Sequence, residues 1–210
     1  MITETERNNN QVQFLSLMSS IEREGMNKAL LTRQLLESDF FYAPASGNYH
    51  NSYVGGLCEH SLNVYFNLVE LCKNFLPNCD ENTIKIVALF HDFSKMNYYT
   101  KEIKNKKVYS DNGSKSDSMG KYDWVSYESF TKRDSKDRFM IGNHEENSAF
   151  MTNTFIPLTD EEYCAIIHHH GSVGYDSTKQ NPAEFWTKYP LSLLLYQADC
   201  IAAFIQEKNE

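Results

Sequence analysis

The stretch that most constrains the fold of this chain is residues 84–95, where an apolar run ends in a histidine and an aspartate. At 3.6 residues per turn, Val87, Ala88 and His91 share one helix face, and Asp92 lies one turn beyond Ala88. The face that should meet the core therefore carries an imidazole and a carboxylate. Burying such groups is costly unless something pairs with them. A bound metal ion would be such a partner, so the stretch predicts a helical core with polar ligands inside it.

Composition narrows the class of protein. The 210 residues suit one domain, taken as 1–210 with a frayed tail over 1–10, and 41% hydrophobic residues can fill a core. No apolar run reaches the roughly 18–20 residues of a membrane span, and the polar start is not a signal peptide. The five scattered cysteines favour reduced thiols. These features predict a cytoplasmic protein that does not bind a membrane.

Hydrophobic periodicity predicts an all-α bundle with one β-rich insertion. Apolar residues recur at helical spacing over seven segments, which are 11–24, 26–37, 57–75, 81–92, 145–152, 160–169 and 191–205. Asp80 and Thr159 are the expected N-caps of the fourth and sixth of these helices. Residues 38–56 and 171–190 are predicted as loops. Residues 97–140 contain three β-prone segments, 97–100, 107–110 and 122–127, with a turn-like stretch at 111–118, which predicts a small two- or three-stranded insertion.

The net charge of −8 is distributed unevenly along the chain. Residues 95–138 hold 11 basic and 7 acidic residues, a local charge of +4, whereas the remainder carries −12. An acidic body argues against a long nucleic acid as partner. A cationic segment next to a polar core site is compatible with a small phosphate-bearing substrate. The simpler interpretation, a solvated lysine-rich loop, is an open alternative.

Several helices carry a histidine or an aspartate on or beside an apolar face. These residues are His60, His91, Asp92, His144, the run His168, His169 and His170, and Asp199. One such residue alone is usually a hydrogen-bonded core histidine or a capping aspartate. Together they would converge in one interior. Nitrogen and carboxylate ligands without thiolate suit divalent Mn, Fe, Co, Ni or Zn, and Mg less well, so the set predicts a metal site.

Three motifs resemble one family. The sequences GGLCEHSLNV at 55–64, ALFHDFSK at 88–95 and YQAD at 196–199 resemble the HD-domain superfamily of metal-dependent phosphohydrolases, which fold as a helical bundle. The resemblance covers roughly residues 29–205. It implies that one metal ion is held by His60, His91, Asp92 and Asp199.

Two further motifs, GNHEENS at 142–148 and AIIHHHG at 165–171, resemble the dinuclear branch of that superfamily. They imply that Asp92 bridges two metal ions and that His144, with His169 or His168, completes the second site. His169 is favoured because similar sequences place the ligand two residues before the glycine. His170 would be a surface residue or a support for a ligand. His50 would be either a loop histidine or an additional residue of the site.

The resemblance implies hydrolysis of a phosphate ester, in a nucleotide or a short oligonucleotide, by a metal-activated hydroxide. Asp92 would hold the metals, and Lys95 would meet a phosphate or merely complement the helix dipole. Glu59 or Glu145 would be a general acid or base, an orienting residue, or simply solvated. Cationic and aromatic side chains of the insertion would close over the nucleotide as a lid, namely Lys104, Lys106, Lys107, Tyr109, Lys121 and Trp124.

Two other classes of function share this pattern. The resemblance extends to di-iron oxygenases of the same superfamily, which use the same order of histidine and aspartate ligands. A binding or signalling module could also keep the ligands without turnover. Two assays discriminate between the two kinds of enzyme. An oxygenase would consume oxygen with bound iron, whereas a phosphohydrolase would release phosphate with manganese or cobalt.

Overall fold

The computed structural model describes residues 2–171 and 182–207, and most of these residues are helical. The helices are α1 (Glu4–Ser19), α2 (Lys28–Glu37), α3 (Gly56–Phe75), α4 (Glu81–Phe90), α5 (His144–Phe155), α6 (Asp160–Ile167), α7 (Pro182–Lys188) and α8 (Pro190–Ile201). Three strands, β1 (Tyr99–Tyr109), β2 (Lys115–Asp117) and β3 (Gly120–Lys132), interrupt the bundle between α4 and α5. A helical bundle with a β insertion is confirmed, although "all-α" is too narrow a class.

Helix α4 lies at the centre of the bundle. Every residue from Ile84 to Phe90 is buried, and all of them except Lys85 are apolar, as expected for a helix enclosed by its neighbours. It packs against α3, α6 and α1, while α8 closes the bundle over α3 and α6. Aromatic rings fill the space around its end, with Phe90 5.7 Å from Phe14 and 5.3 Å from Phe93 between ring centroids. The core thus surrounds the end of α4, where His91 and Asp92 follow.

The predicted caps of two helices are confirmed. Asp80 caps α4, since its carboxylate accepts from the Thr83 amide at 3.1 Å. Thr159 and Glu162 form a reciprocal capping box at the start of α6. Such caps can be predicted from sequence because the residues that form them lie within one helical turn of each other.

The predicted frayed tail over 1–10 is wrong from Glu4 onward. Helix α1 begins at Glu4 because Thr3 and Glu6 cap it reciprocally, which satisfies its first amides. A run of three asparagines, which are poor helix formers, obscures this start in the sequence. The helix also ends at Ser19, earlier than the predicted 24.

The insertion is a long antiparallel ribbon. Strands β1 and β3 pair from Tyr99↔Lys132 to Tyr109↔Tyr122, and short β2 adds to the other edge of β3 at the tip. Two β-prone segments that the sequence analysis separated, 97–100 and 107–110, thus belong largely to one strand. The outer part of the ribbon exposes side chains on both faces. Its base joins the bundle directly after Lys95.

The C-terminal part of the bundle differs from the prediction in two places. Helix α7 lies inside the predicted loop 171–190, of which 172–181 falls outside the described residues. Helix α8 passes directly into a π-helical turn over Ala202–Gln206. Within the described ranges, no helix is both long enough and apolar enough to cross a membrane.

Candidate metal centre

A tight loop–helix junction positions His60 near the start of α3. Gly55 adopts a φ of +89° as the residue before the helix, a conformation that glycine enters at little cost. At Gly56 a Cβ atom would lie 2.0 Å from the Asn51 carbonyl oxygen, so only glycine allows this approach. The two glycines therefore hold the preceding loop, which contains His50, against the helix that carries His60.

Four side chains from three elements meet in a first group of potential metal ligands. The Nε2 atom of His60 lies 3.1 Å from Asp199 Oδ1 and 3.2 Å from His91 Nε2. Asp92 Oδ2 lies 3.6 Å from His60 Nε2 and 3.4 Å from His91 Nε2. Two metal–ligand bonds of about 2.1 Å at tetrahedral or octahedral angles separate their ligand atoms by about 3.0–3.5 Å. The spacing of this group therefore fits one metal ion.

A second group forms around the other oxygen of the same carboxylate. Asp92 Oδ1 lies 3.6 Å from His169 Nε2 and 3.8 Å from His144 Nε2. All three of these atoms are buried and have no hydrogen-bond partner among the described residues. Buried polar atoms are nearly always paired, and these three atoms face one point, so their arrangement fits a shared cation. Asp92 thus presents one oxygen to each group.

Backbone carbonyls orient two of the histidine rings. His91 Nδ1 lies 2.8 Å from the Ala88 oxygen, and His169 Nδ1 lies 2.7 Å from the Ile166 oxygen. A carbonyl oxygen can only accept, so each Nδ1 carries the proton and each Nε2 keeps its lone pair. Both lone pairs therefore face the centre in the form that binds a metal ion.

The charges around Asp92 keep it ionised. Burial alone would raise the pKa of Asp92, but the opposing effects, of which the neighbouring Lys95 ammonium is the largest, hold that pKa well below its usual value. The ammonium of Lys95 lies 2.6 Å from Asp92 Oδ2. Burial opposes the charged form of Lys95, yet the Asp92 carboxylate raises its pKa. Both groups are therefore charged at neutral pH.

The pKa values of His144 and His60 are shifted in opposite directions. Burial lowers the pKa of His144 to about 3, so its imidazole is neutral and ready to bind a metal ion. Burial also disfavours charge on His60, but hydrogen bonds to Asp199 and Glu207 prevail and raise its pKa to about 10. The two carboxylates therefore favour the protonated form of His60, and a metal ion bound between His60 and Asp199 would displace a proton.

Glu145 supports the histidines on the second side of the centre. Its Oε2 lies 3.1 Å from His144 Nδ1, and its Oε1 lies 2.7 Å from His170 Nδ1. His170 in turn has its Nε2 3.7 Å from Asp199 Oδ2. This geometry suits an orienting role for Glu145 and places His170 beside the ligands rather than on a remote surface.

Two predicted site residues lie apart from both ligand groups. His168 directly follows α6, and the centroid of its ring lies 4.6 Å from that of Phe185, whereas His169 is fully buried at the centre. Among the described residues, the groups that could hold a metal include His169 but not His168. Glu59 accepts a hydrogen bond from the Tyr53 hydroxyl. Its role as acid or base stays a prediction.

A cleft opens onto the centre. Its volume is about 470 Å³, within the range of small-molecule sites. Lys95, His144 and His170 lie on its inner side, together with His50, whose ring centroid is 4.8 Å from that of His60. The rest of the lining is polar, aromatic or cationic, comprising Ser46, Gly47, Asn48, Tyr49, Tyr98, Tyr99, Lys104, Phe130, Thr131 and Lys132.

The ribbon contributes its base, not its tip, to this cleft. Of the six side chains expected to form a lid, Lys104 lines the cleft. Farther out, the Lys107 ammonium lies 2.6 Å from Asp117 and the ammonium of Lys106 lies 5.4 Å from the Tyr127 ring centroid. The ribbon extends away from the bundle, so its outer cations pair within the ribbon itself.

Sequence reasoning missed Glu207. This carboxylate is 6% exposed and lies 3.0 Å from His60 Nδ1. It follows the last apolar position of the predicted terminal helix by two residues. A glutamate at such a position is expected to be solvent-exposed at the end of the helix. No spacing rule connects it to a histidine 147 positions earlier.

Comparison with known protein families matches residues 57–199 to the HD domain. The matched range includes His60, His91, Asp92 and Asp199, and the clustered donors fit the divalent metal ions that HD domains bind. No curated protein and no solved structure matches the chain. HD domains are typically metal-dependent phosphohydrolase domains. Because the match spans more than half of the sequence, the chain belongs to the HD-domain family.

Proposed function

We propose that this chain is a metal-dependent phosphohydrolase that cleaves a phosphate ester of a nucleotide or short oligonucleotide. One observation carries the proposal. The two oxygens of buried Asp92 face two separate groups of nitrogen and oxygen donors, and the ammonium of Lys95 stands between this carboxylate and the cleft. Two divalent metal ions held there would lower the pKa of a bound water and stabilise charge on a phosphoryl group.

The distances between donor atoms support a division of the ligands between the two ions. His60, His91, Asp92 and Asp199 would hold one ion. His144 and His169 would hold the other, with Asp92 shared. The neutral state of His144 and the backbone-fixed rings of His91 and His169 prepare these nitrogens for binding without reorganisation.

Lys95 would supply positive charge to the substrate. It is 8% exposed, lines the cleft and keeps its proton because Asp92 lies beside it. A buried ammonium next to the reacting phosphate stabilises negative charge that develops in the transition state. A phosphate ester carries the negative charge that this cation can meet, so Lys95 supports phosphate chemistry.

The cleft supports a small substrate. Its volume suits a nucleotide, and the acidic body of the chain disfavours a long polyanion. The aromatic rings of Tyr98, Tyr99 and Phe130 offer stacking surfaces for a base, and Lys104 and Lys132 at the base of the ribbon offer contacts to further phosphates. The outer ribbon is not required by this arrangement.

The test is metal analysis followed by a substrate panel. Protein purified without added metal is analysed for bound elements and then assayed with Mn²⁺ or Co²⁺ on aryl phosphates, nucleoside phosphates and short oligonucleotides. Phosphate release that depends on metal and is lost in Lys95→Ala, with metal content retained, is the expected result. Full activity after chelation would refute the proposal. Oxygen uptake with iron, in place of phosphate release, would establish the oxygenase alternative.

A further inference from the structure

Both ring nitrogens of His60 contact carboxylates from the C-terminal helix and the turn that follows it. Asp199 of α8 approaches Nε2 at 3.1 Å, and Glu207 approaches Nδ1 at 3.0 Å through Oε2 and 3.1 Å through Oε1. Only Asp199 lies on the side of the metal ligands. Glu207 lies on the opposite edge of the ring, within reach of His50, and meets the proposed centre through His60.

A π-helical turn brings Glu207 to this position. Its amide donates to the Ala202 oxygen at 3.0 Å, five residues back, so this turn holds one residue more than an α-helical turn. Asp199 and Glu207 are eight residues apart, and one extra residue makes that separation equivalent to seven, which is about two full α-helical turns. The turn therefore rotates Glu207 onto the helix face that carries Asp199.

Side chains of α3 hold the π turn in place. Asn63 Nδ2 donates to Glu207 Oε1 at 2.8 Å. One helical turn later, Asn67 and Gln206 exchange two amide hydrogen bonds of 3.0 Å each. Asn67 also donates to the Ala198 oxygen at 3.2 Å. The turn is thus docked by two separate contacts, one through the carboxylate and one through the neighbouring amide.

His60 differs in this respect from the other buried histidines of the centre. His91 and His169 donate Nδ1–H to carbonyls of their own helices, three residues back in each case. The Nδ1 of His60 instead meets a carboxylate from the far end of the chain. A carboxylate on the outer nitrogen fixes the tautomer and increases the basicity of the nitrogen that faces the metal.

We infer that Glu207 is a positioning residue that sets the metal affinity of the first site through His60, delivered there by the π turn. This inference rests on the metal centre of the proposed function, although it does not depend on the reaction or the substrate. It makes the segment through residue 207 part of the functional unit, beyond the end of the matched HD domain at 199.

Three variants of the full chain test the inference with Co²⁺ as the probe, titrated by calorimetry and by its visible absorption. Glu207→Ala should weaken the first Co²⁺ site about 10–100-fold, the usual cost of removing a carboxylate that supports a metal-binding histidine. Glu207→Gln should fall between Glu207→Ala and the wild type, because the amide oxygen still accepts from Nδ1–H but carries no charge. Gln206→Ala, the matched control, breaks the other docking contact but leaves Asn63 bound to the Glu207 carboxylate, so it should weaken the first site much less than Glu207→Ala.

A second readout separates positioning from folding. With Zn²⁺ bound, the His60 Nδ1 proton should be slow to exchange in nitrogen-15 NMR spectra of the wild type and of Gln206→Ala, and fast in Glu207→Ala. Wild-type Co²⁺ affinity in Glu207→Ala, or an equal loss of affinity in Gln206→Ala, would overturn the inference while leaving the metal centre intact. If the wild type itself bound no Co²⁺, both the inference and the proposed function would fail.

Discussion

Replacing Asp92 with asparagine should abolish both metal sites at once. The substitution keeps the shape of the side chain but removes the negative charge of the carboxylate. One oxygen of that carboxylate faces His60 and His91, and the other faces His144 and His169. Removing a ligand of one group only should cost one ion. The expected metal contents are therefore two ions for the wild type, one for His169→Ala and none for Asp92→Asn.

The magnitude follows from linkage between binding and folding. An ion at 100 times its dissociation constant stabilises the folded state by about 2.7 kcal/mol per site. For a chain of this size, 1 kcal/mol corresponds to about 2–4 °C in Tm, so each ion should raise Tm by about 5–11 °C. Calorimetric scans with and without Mn²⁺ should show roughly twice this rise for the wild type, one such rise for His169→Ala and none for Asp92→Asn.

Two controls make the result decisive. His168→Ala, one residue from a proposed ligand, should keep both ions, and Asp111→Asn at the exposed tip of the ribbon should behave as the wild type. Each variant is compared with its own metal-free Tm, which removes effects on the apoprotein. Undiminished metal content and Tm rise in Asp92→Asn would refute the bridging role, and loss of an ion in His168→Ala would reverse the choice between the two histidines.

Three further perturbations test the architecture around the centre. Gly56→Ala should lower the free energy of unfolding, measured in urea, by at least about 2 kcal/mol, because its Cβ would lie 2.0 Å from the Asn51 oxygen. An unchanged unfolding midpoint would show that the loop accommodates the methyl group without cost. Glu162→Gln should cost about 3 kcal/mol in the same assay, since it removes the buried negative charge that pairs with Arg23. A loss under 1 kcal/mol would contradict this. Replacing residues 106–125 with a two-residue turn should leave the KM for a small nucleotide unchanged, and a tenfold rise would restore the lid hypothesis.

Local features of the fold were predictable because their causes are local. The buried helix before His91, the cap at Asp80 and the capping box at Thr159 all depend on residues within a turn of one another. The prediction failed where a local signal was weak or ambiguous. Helix α1 starts at Glu4 despite its asparagines, and two β-prone segments merged into β1 because pairing with β3 continues across the polar residues between them.

The sequence predicts a donor set because His60, His91, Asp92 and Asp199 stand on or beside apolar helix faces, and the family resemblance adds His144. Packing decided the rest. Helix α6 ends at Ile167, and only the course of the chain after that point directs His169 inward and His168 toward α7.

Glu207 is the clearest case of a residue that tertiary structure alone reveals. Its partner lies 147 positions away, and its orientation depends on a single π turn docked on Asn63 and Asn67. Spacing in a sequence reports on neighbours within an element. It carries no information about which distant side chain will meet a ring, because that depends on how whole helices pack.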